Sequence, residues 1–258
     1  MLKRSSCGDL ALNYLVPAMA VVLALVIVIT QGNQAVFLIF NSLGPRTGDA
    51  LWAHWTLLGD GLVLSALILP FVGRRPALVW SLLVTALLAG LTVSLFKQFL
   101  PMPRPPAVLA SDLIHVIGPA YQSRSFPSGH TVAAFAFAGA LSLHFRRVWF
   151  MVLVLGLAAG VGISRMAVGV HWPMDVAAGA GLGWLCAVAG GHLAGRWRWG
   201  ESLIGQRVAA VLLILAALGL LLVFRPDSPQ AEYMPKGIAV MVLMVSMPGF
   251  IRLWRGRQ

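Results

Sequence analysis

Charge is scarce in this chain. Only 10% of its 258 residues are Asp, Glu, Lys or Arg, and eight of them are acidic. A soluble domain carries roughly 25% charged residues. Here 59% of the residues are hydrophobic and the mean hydropathy is +0.85, more apolar surface than one globular core can bury. That excludes a soluble globular enzyme, and disorder too, which needs a polar, charge-rich composition. Cysteine is nearly absent as well. Cys7 and Cys186 stand far apart and neither belongs to a CxxC pair, so a disulfide framework or thiolate zinc site has no basis. There is no HExxH and no Walker loop, which removes the usual zinc and nucleotide chemistries.

Long apolar runs take the place of charge. They fall at 11–31, 52–72, 77–96, 130–145, 148–166, 174–194, 208–224 and 237–252. At roughly 20 apolar residues per crossing helix, this predicts eight membrane spans. The first run is long for a signal peptide and lacks a small-residue cleavage site, so it reads as an uncleaved helix. The apolar stretch 35–44 is too short to span and is expected at the interface. Pro248 and Gly249 interrupt the last run, which membrane helices tolerate better than soluble ones.

The net charge of +11 would suit a nucleic-acid binder, but the positions of the basic residues argue otherwise. With eight spans both termini share a side, and on it fall Lys3, Arg4, Arg74, Arg75, Arg146, Arg147, Arg196, Arg198, Arg207, Arg252, Arg255 and Arg257. The other side holds Arg46, Lys97, Arg104, Arg124, Arg165, Arg225 and Lys236. Basic residues in short loops favour the cytoplasm, so the termini are expected there, with no nucleic acid as partner. The basic rim and the lack of a soluble domain point to a bacterial inner membrane.

The outer ends of the spans carry an unusual set of residues. Lys97 ends the third run and Arg104 follows it. Ser128, Gly129 and His130 open the fourth. Ser164 and Arg165 close the fifth, and His171 and Asp175 flank the start of the sixth. Taken singly, a Lys or Arg here is an ordinary interfacial residue, and a His beside Trp172 is an ordinary belt residue. Taken together they suit phosphoryl transfer. Three cations can neutralise phosphate oxygens. The free amides of a helix start can bind an anion, and Gly129 permits close backbone approach. One histidine can attack phosphorus while the other protonates the departing oxygen. Asp175, four residues after His171, shares its face if the segment is helical, and can hold the tautomer that leaves Nε2 free. Pro173 fits a first helical turn.

The segment Lys97-Gln-Phe-Leu-Pro-Met-Pro-Arg104-Pro105, the run Pro127-Ser128-Gly129-His130, and Ser164-Arg165 followed by His171 and Asp175 read as K-x6-R-P, P-S-G-H and S-R-x5-H-x3-D. Together they resemble the three-part signature of the type 2 phosphatidic acid phosphatase superfamily, over roughly residues 97–175. The apolar runs predict an all-α, polytopic transmembrane bundle; the resemblance implies a six-helix core, here assigned to 1–206, and leaves open the role of the C-terminal hairpin that the last two runs add at 207–258. It also implies a phosphatase that needs no metal or cofactor and works through a phosphohistidine. His171 would be the nucleophile, Asp175 its orienter and His130 the general acid, while Lys97, Arg104, Ser128, Gly129 and Arg165 hold the phosphate.

A phosphate site at the membrane face suits a substrate whose tail stays in the bilayer. The expected partner is therefore a membrane lipid phosphate such as undecaprenyl pyrophosphate, phosphatidylglycerophosphate, phosphatidate or a lipid A phosphate. The alternative within enzymes is a phosphotransferase passing phosphate from His171 to another head group. An anion transporter is the rival class, and it would place its charges near mid-membrane. Asp112 and His115 in the outer loop are candidates for the substrate head group, and Asp60, between two glycines, for the edge of the site. His54 is expected at the interface, and His144 and His192 near the cytoplasmic ends. Oligomeric state is not legible.

Overall fold

The computed structural model describes residues 7–255, with side chains from residue 13 onward. Lys3, Arg4, Arg257 and the Cys7 side chain lie outside the described residues. Twelve α-helices follow one another among them: α1 (Cys7–Ile29), α2 (Asn33–Asn41), α3 (Leu43–Thr47), α4 (Asp49–Leu57), α5 (Gly61–Ala66), α6 (Pro76–Phe99), α7 (Pro105–Val108), α8 (Gly129–Phe145), α9 (Val148–Ala167), α10 (Pro173–Arg196), α11 (Leu203–Leu222) and α12 (Tyr233–Trp254). There is no strand among the described residues. The protein is an all-helical integral membrane bundle.

Five helical segments are long and apolar enough to cross a membrane: α6, α9, α10, α11, and α12 together with the short turn before it. Two bent pairs bring the number to seven, and α8, at 17 residues, is shorter. Helices thus stand at all eight predicted places. Proline at the first position of α6 and α10 starts each helix where a missing N–H costs nothing. The last helix runs unbroken through Pro248.

One predicted run, 52–72, is not a single helix. It breaks at Asp60, and α4 and α5 meet at 52°. The Asp60 side chain accepts from the Leu62 N–H at 2.8 Å and the Val63 N–H at 3.3 Å, so it caps a fresh helix. The short apolar stretch at 35–44 folds back sharply from α1, at 108°. Its Phe37 and Asn41 are buried, and it packs on α9 and α10.

Helix α10 is the centre of the bundle and touches α1, α6 and α8. Small residues make this possible, as in membrane helix pairs generally. A Cβ at Gly183 would collide with the Val132 carbonyl, and one at Gly139 would come within 2.8 Å of Ala187. Trp184 is fully buried among them. Helices α11 and α12 pack on each other and, through α5 and the turn at 69–71, on the rest. At that seam Gly73, with φ +67, faces the Gly249 carbonyl where a Cβ would stand, and Gly249 faces the Val72 carbonyl in the same way. Beside them Arg74 donates to the Val245 carbonyl at 2.9 Å.

The connector from α6 to α8 lies across one end of the bundle and is pinned at several points. The Arg104 N–H donates to Gln122 and the Ser125 N–H to Met102, at 3.0 and 2.9 Å. Asn41 clamps the next stretch: its side-chain NH2 donates to the His115 carbonyl at 2.7 Å and reaches the Met166 carbonyl at 3.2 Å, and its Oδ1 accepts the His115 N–H at 2.8 Å.

Candidate active site

The turn between α9 and α10 sets the centre of the site. His171 lies in it, 1% exposed, and Asp175 in the first turn of α10 is 2% exposed. The two do not share a helix face, because α10 begins only at Pro173. They meet because Asp175 folds back over the helix start. Its Oδ2 accepts the Trp172 N–H at 2.8 Å and the Ser125 hydroxyl at 2.5 Å, and lies 3.3 Å from His171 Nδ1. A carboxylate on Nδ1 leaves Nε2 of the ring free. Burial first, then the charges of Arg165, Arg104 and Lys97, hold the His171 imidazole well below the ordinary histidine range. The ring is therefore neutral, the form that can attack an electrophile.

Three cations act on that ring. Arg104 is 7% exposed, and its guanidinium donates to the carbonyls of Ser123 at 2.9 Å and Val170 at 3.3 Å. Arg165 is 5% exposed and donates to the Thr56 hydroxyl, while its buried Nε has no partner. A guanidinium buried in an apolar bundle is costly unless an anion meets it. The free N–H is therefore a place for an oxyanion. Lys97, near the end of α6, has its Nζ 3.8 Å from where a Cβ on Gly129 would stand.

The start of α8 completes the set. Ser128 is its N-cap residue, but its hydroxyl does not cap the helix and instead accepts from Thr131 at 2.9 Å. The first amides of α8 are thus left without a side-chain cap. Ser128 is tied to the other half of the site, its N–H donating to the Asp175 carbonyl at 3.1 Å. Helix α10 can come this close because Gly179 lies against Ser128 and Thr131, where a Cβ would be 3.1 Å from the Ser128 carbonyl.

The structure therefore brings together all eight residues singled out in the sequence: Lys97, Arg104, Ser128, Gly129, His130, Arg165, His171 and Asp175. Other candidates lie elsewhere. Asp60 serves as a helix cap, though it also lines a small cavity that reaches Arg165. His115 Nε2 pairs with Asp49 at 2.7 Å, and Asp112 is exposed. His54 and His192 each bond the carbonyl four residues back, on Ala50 and Val188. Sequence reasoning missed Ser125 and Thr56, which hold Asp175 and Arg165. Ser125 sits only three residues ahead of Ser128, a signal that was available; nothing in the sequence marks Thr56.

Two cavities meet at His130. One, about 420 Å³, is an apolar cleft between α5, α6 and α8, running from Gly129 and His130 down to Leu82 and Phe137. The other, about 90 Å³, has a mixed polar and apolar lining and lies between His130, Arg165, Thr56 and the connector from α11 to α12.

Known proteins resemble this chain in sequence and fold. The pattern of the PAP2 superfamily matches residues 78–199. The crystal structure of Aquifex aeolicus LpxE is similar at 32% identity and a TM-score of 0.56, over 61% of this chain and 93% of that one. The chain belongs to the PAP2 superfamily. A lipid A 1-phosphatase of Rhizobium johnstonii is 33% identical over 154 residues, 53% of this chain and 59% of that protein. A putative undecaprenyl-diphosphatase of Escherichia coli, YbjG, is 44% identical over 55 residues, 21% of this chain and 27% of that one. The chain thus spans less than two thirds of the length of these curated relatives. The PAP2 match ends before α11, so the C-terminal hairpin lies outside the shared pattern.

Proposed function

We propose that this protein is a phosphatase of lipid phosphates or lipid diphosphates, acting at the outer leaflet through a phosphohistidine on His171. The observation that carries this reading is the buried His171, 3.3 Å at Nδ1 from Asp175 and under the charge of Arg165, Arg104 and Lys97. Similarity to proteins named for lipid A and undecaprenyl diphosphate supports a lipid substrate. So does the apolar cleft, which offers a tail a path from the phosphate into the bilayer.

The chemistry runs in two steps. The Nε2 lone pair of His171 attacks phosphorus, and Lys97, Arg104, Arg165 and the free amides of α8 stabilise the charge on the equatorial oxygens. The bond from phosphorus to the lipid oxygen breaks, its electron pair goes to that oxygen, and His130 donates the proton. Water then attacks the phosphohistidine with His130 as base. The P–N bond breaks, its pair returns to Nε2, and inorganic phosphate leaves. The protein's own cations supply the positive charge that a metal would otherwise bring, so the reaction proceeds without one.

Purified protein in detergent, assayed for phosphate release against a panel of lipid phosphates and diphosphates, tests this reading. Release that survives EDTA and is blocked by vanadate is expected. Phosphate found on a second lipid rather than in solution would make it a phosphotransferase, and loss on EDTA with rescue by magnesium would overturn the mechanism.

A further inference from the structure

The hairpin of α11 and α12 stands outside the family pattern, yet its outer connector reaches the site. Phe224, Ala231 and Met234 pack with Ala53 and Leu57 of α4 and with Val168 and Val170 beside the catalytic turn. This seats residues 225–228 in the lining of the small cavity that His130 and Arg165 also line. The outer loop meets that segment closely. Gly118, with φ +88, has the Asp227 carbonyl 3.0 Å from where its Cβ would stand.

A chain of contacts runs from this segment to the phosphate-binding residues. The Tyr121 hydroxyl donates to Asp227 Oδ1 at 3.1 Å. The Tyr121 ring in turn lies under the Arg104 guanidinium, 5.2 Å from carbon to ring centre. Burial first, and the Asp227 charge next, raise the Tyr121 phenol above its ordinary range, so the phenol is the donor in that pair. A ring held at its hydroxyl presents a fixed face, and a guanidinium stacks well on such a face. All three nitrogens of Arg104 donate to loop carbonyls, Nε to Ser123 at 2.9 Å, Nη1 to Val170 at 3.3 Å and Nη2 more loosely to Arg124 at 3.5 Å, and the ring on its face steadies where the remaining Nη N–H groups point.

We propose that the C-terminal hairpin takes part in phosphate binding: Asp227 is a positioning residue that, through Tyr121, fixes the guanidinium of Arg104. This rests on the reading of the site as a phosphate site. The hairpin is then part of the binding machinery and not only an extra pair of spans.

The test uses the full chain in detergent and two readouts: thermal stabilisation by inorganic phosphate or vanadate, which needs no turnover, and KM against kcat on a lipid phosphate. Losing one hydrogen bond's worth of positioning corresponds to an affinity loss of about three- to ten-fold. Asp227→Ala should weaken phosphate and vanadate by that factor and raise KM, with kcat changed much less. Tyr121→Phe, which keeps the ring, should match it. The double variant should lose no more than either alone, because both break one chain. Asp227→Asn, still an acceptor for the phenol, should recover most of the affinity.

Unchanged phosphate affinity in Asp227→Ala, or additive losses in the double variant, overturns the positioning role while leaving the phosphatase reading intact. Tighter phosphate binding in both Asp227→Ala and Asp227→Asn would also overturn it, since the carboxylate would then act by repulsion. A wild-type chain that neither binds phosphate nor cleaves any lipid phosphate defeats the phosphatase reading, and this inference with it.

Discussion

The two ends of the bundle use the same residue type in opposite ways. At the end that holds the site, Arg104 and Arg165 are buried, oriented by backbone or hydroxyl partners, and Arg165 keeps one N–H unpaired. At the other end Arg75, Arg147 and Arg198 are exposed, and Arg198 pairs with Glu201 with its side chain 71% in the open. Tryptophans sit among them, with Trp80, Trp197 and Trp199 in mutual contact at 5.1 to 6.1 Å. That is the composition of an interfacial belt. The number of cations on a side speaks to topology, whereas their burial speaks to chemistry. An exposed arginine satisfies itself with water and lipid; a buried one with a spare donor is waiting for an anion.

The contrast can be broken in order of expected effect. His171→Ala should abolish turnover on lipid substrate and on a nitrophenyl phosphate ester alike, with no acid-labile phosphoenzyme trapped. Rescue by the activated ester would mean that the two histidine roles are reversed. His130→Ala should lose on the order of 10²–10⁴-fold on a lipid alkoxide, the usual scale of general acid catalysis. It should lose markedly less on the nitrophenyl ester, whose leaving group needs no proton. Equal losses would reduce His130 to a phosphate ligand.

Arg165→Gln should cost about 10²–10³-fold in kcat, as for one lost oxyanion donor, and Arg165→Lys should restore only part, since a point charge cannot replace the fork. A smaller effect concerns pH. Three cations and burial keep His171 in its neutral, attacking form, so kcat/KM should hold as pH falls through about 6.5, the ordinary histidine value. Removing one of those cations in Arg104→Gln raises the His171 pKa, so the acid limb should move to higher pH as well as lower activity. A limb that stays in place would show that Arg104 does not act on the ring. The smallest effect belongs to the opposite end: Arg147→Gln should leave kcat and KM within about two-fold, as surface substitutions do. A large loss there would erase the distinction between the ends.

Much of the architecture was legible because apolar run length is a strong signal in a membrane chain, and helices stand at each predicted place. The candidate site residues stood out because a charged, polar set at the ends of a few apolar runs is conspicuous in so apolar a chain. What escaped notice has local or long-range causes. The break at Asp60 was written in Gly59-Asp60-Gly61, a helix-cap composition inside an apolar run, but hydropathy averages over it. The same averaging passed over how Asp175 reaches His171, by capping a helix start rather than along a helix face. Thr56 on Arg165 and Asp227 on Tyr121 join residues about a hundred positions apart, and a single sequence carries no trace of such pairs.

The paired glycines at the foot of the hairpin bear on how freely this protein could be recombined with its relatives. Each lies where a methyl group would press on the other segment's main chain. Transplanting α11 and α12 onto another PAP2 core would therefore require a residue without a side chain at the position of Gly73. A foreign hairpin grafted here would likewise need one at the position of Gly249. The two sites form a single unit of compatibility, one just ahead of the matched family pattern and the other in the hairpin beyond it, and a chimaera that respects only one of them should not assemble.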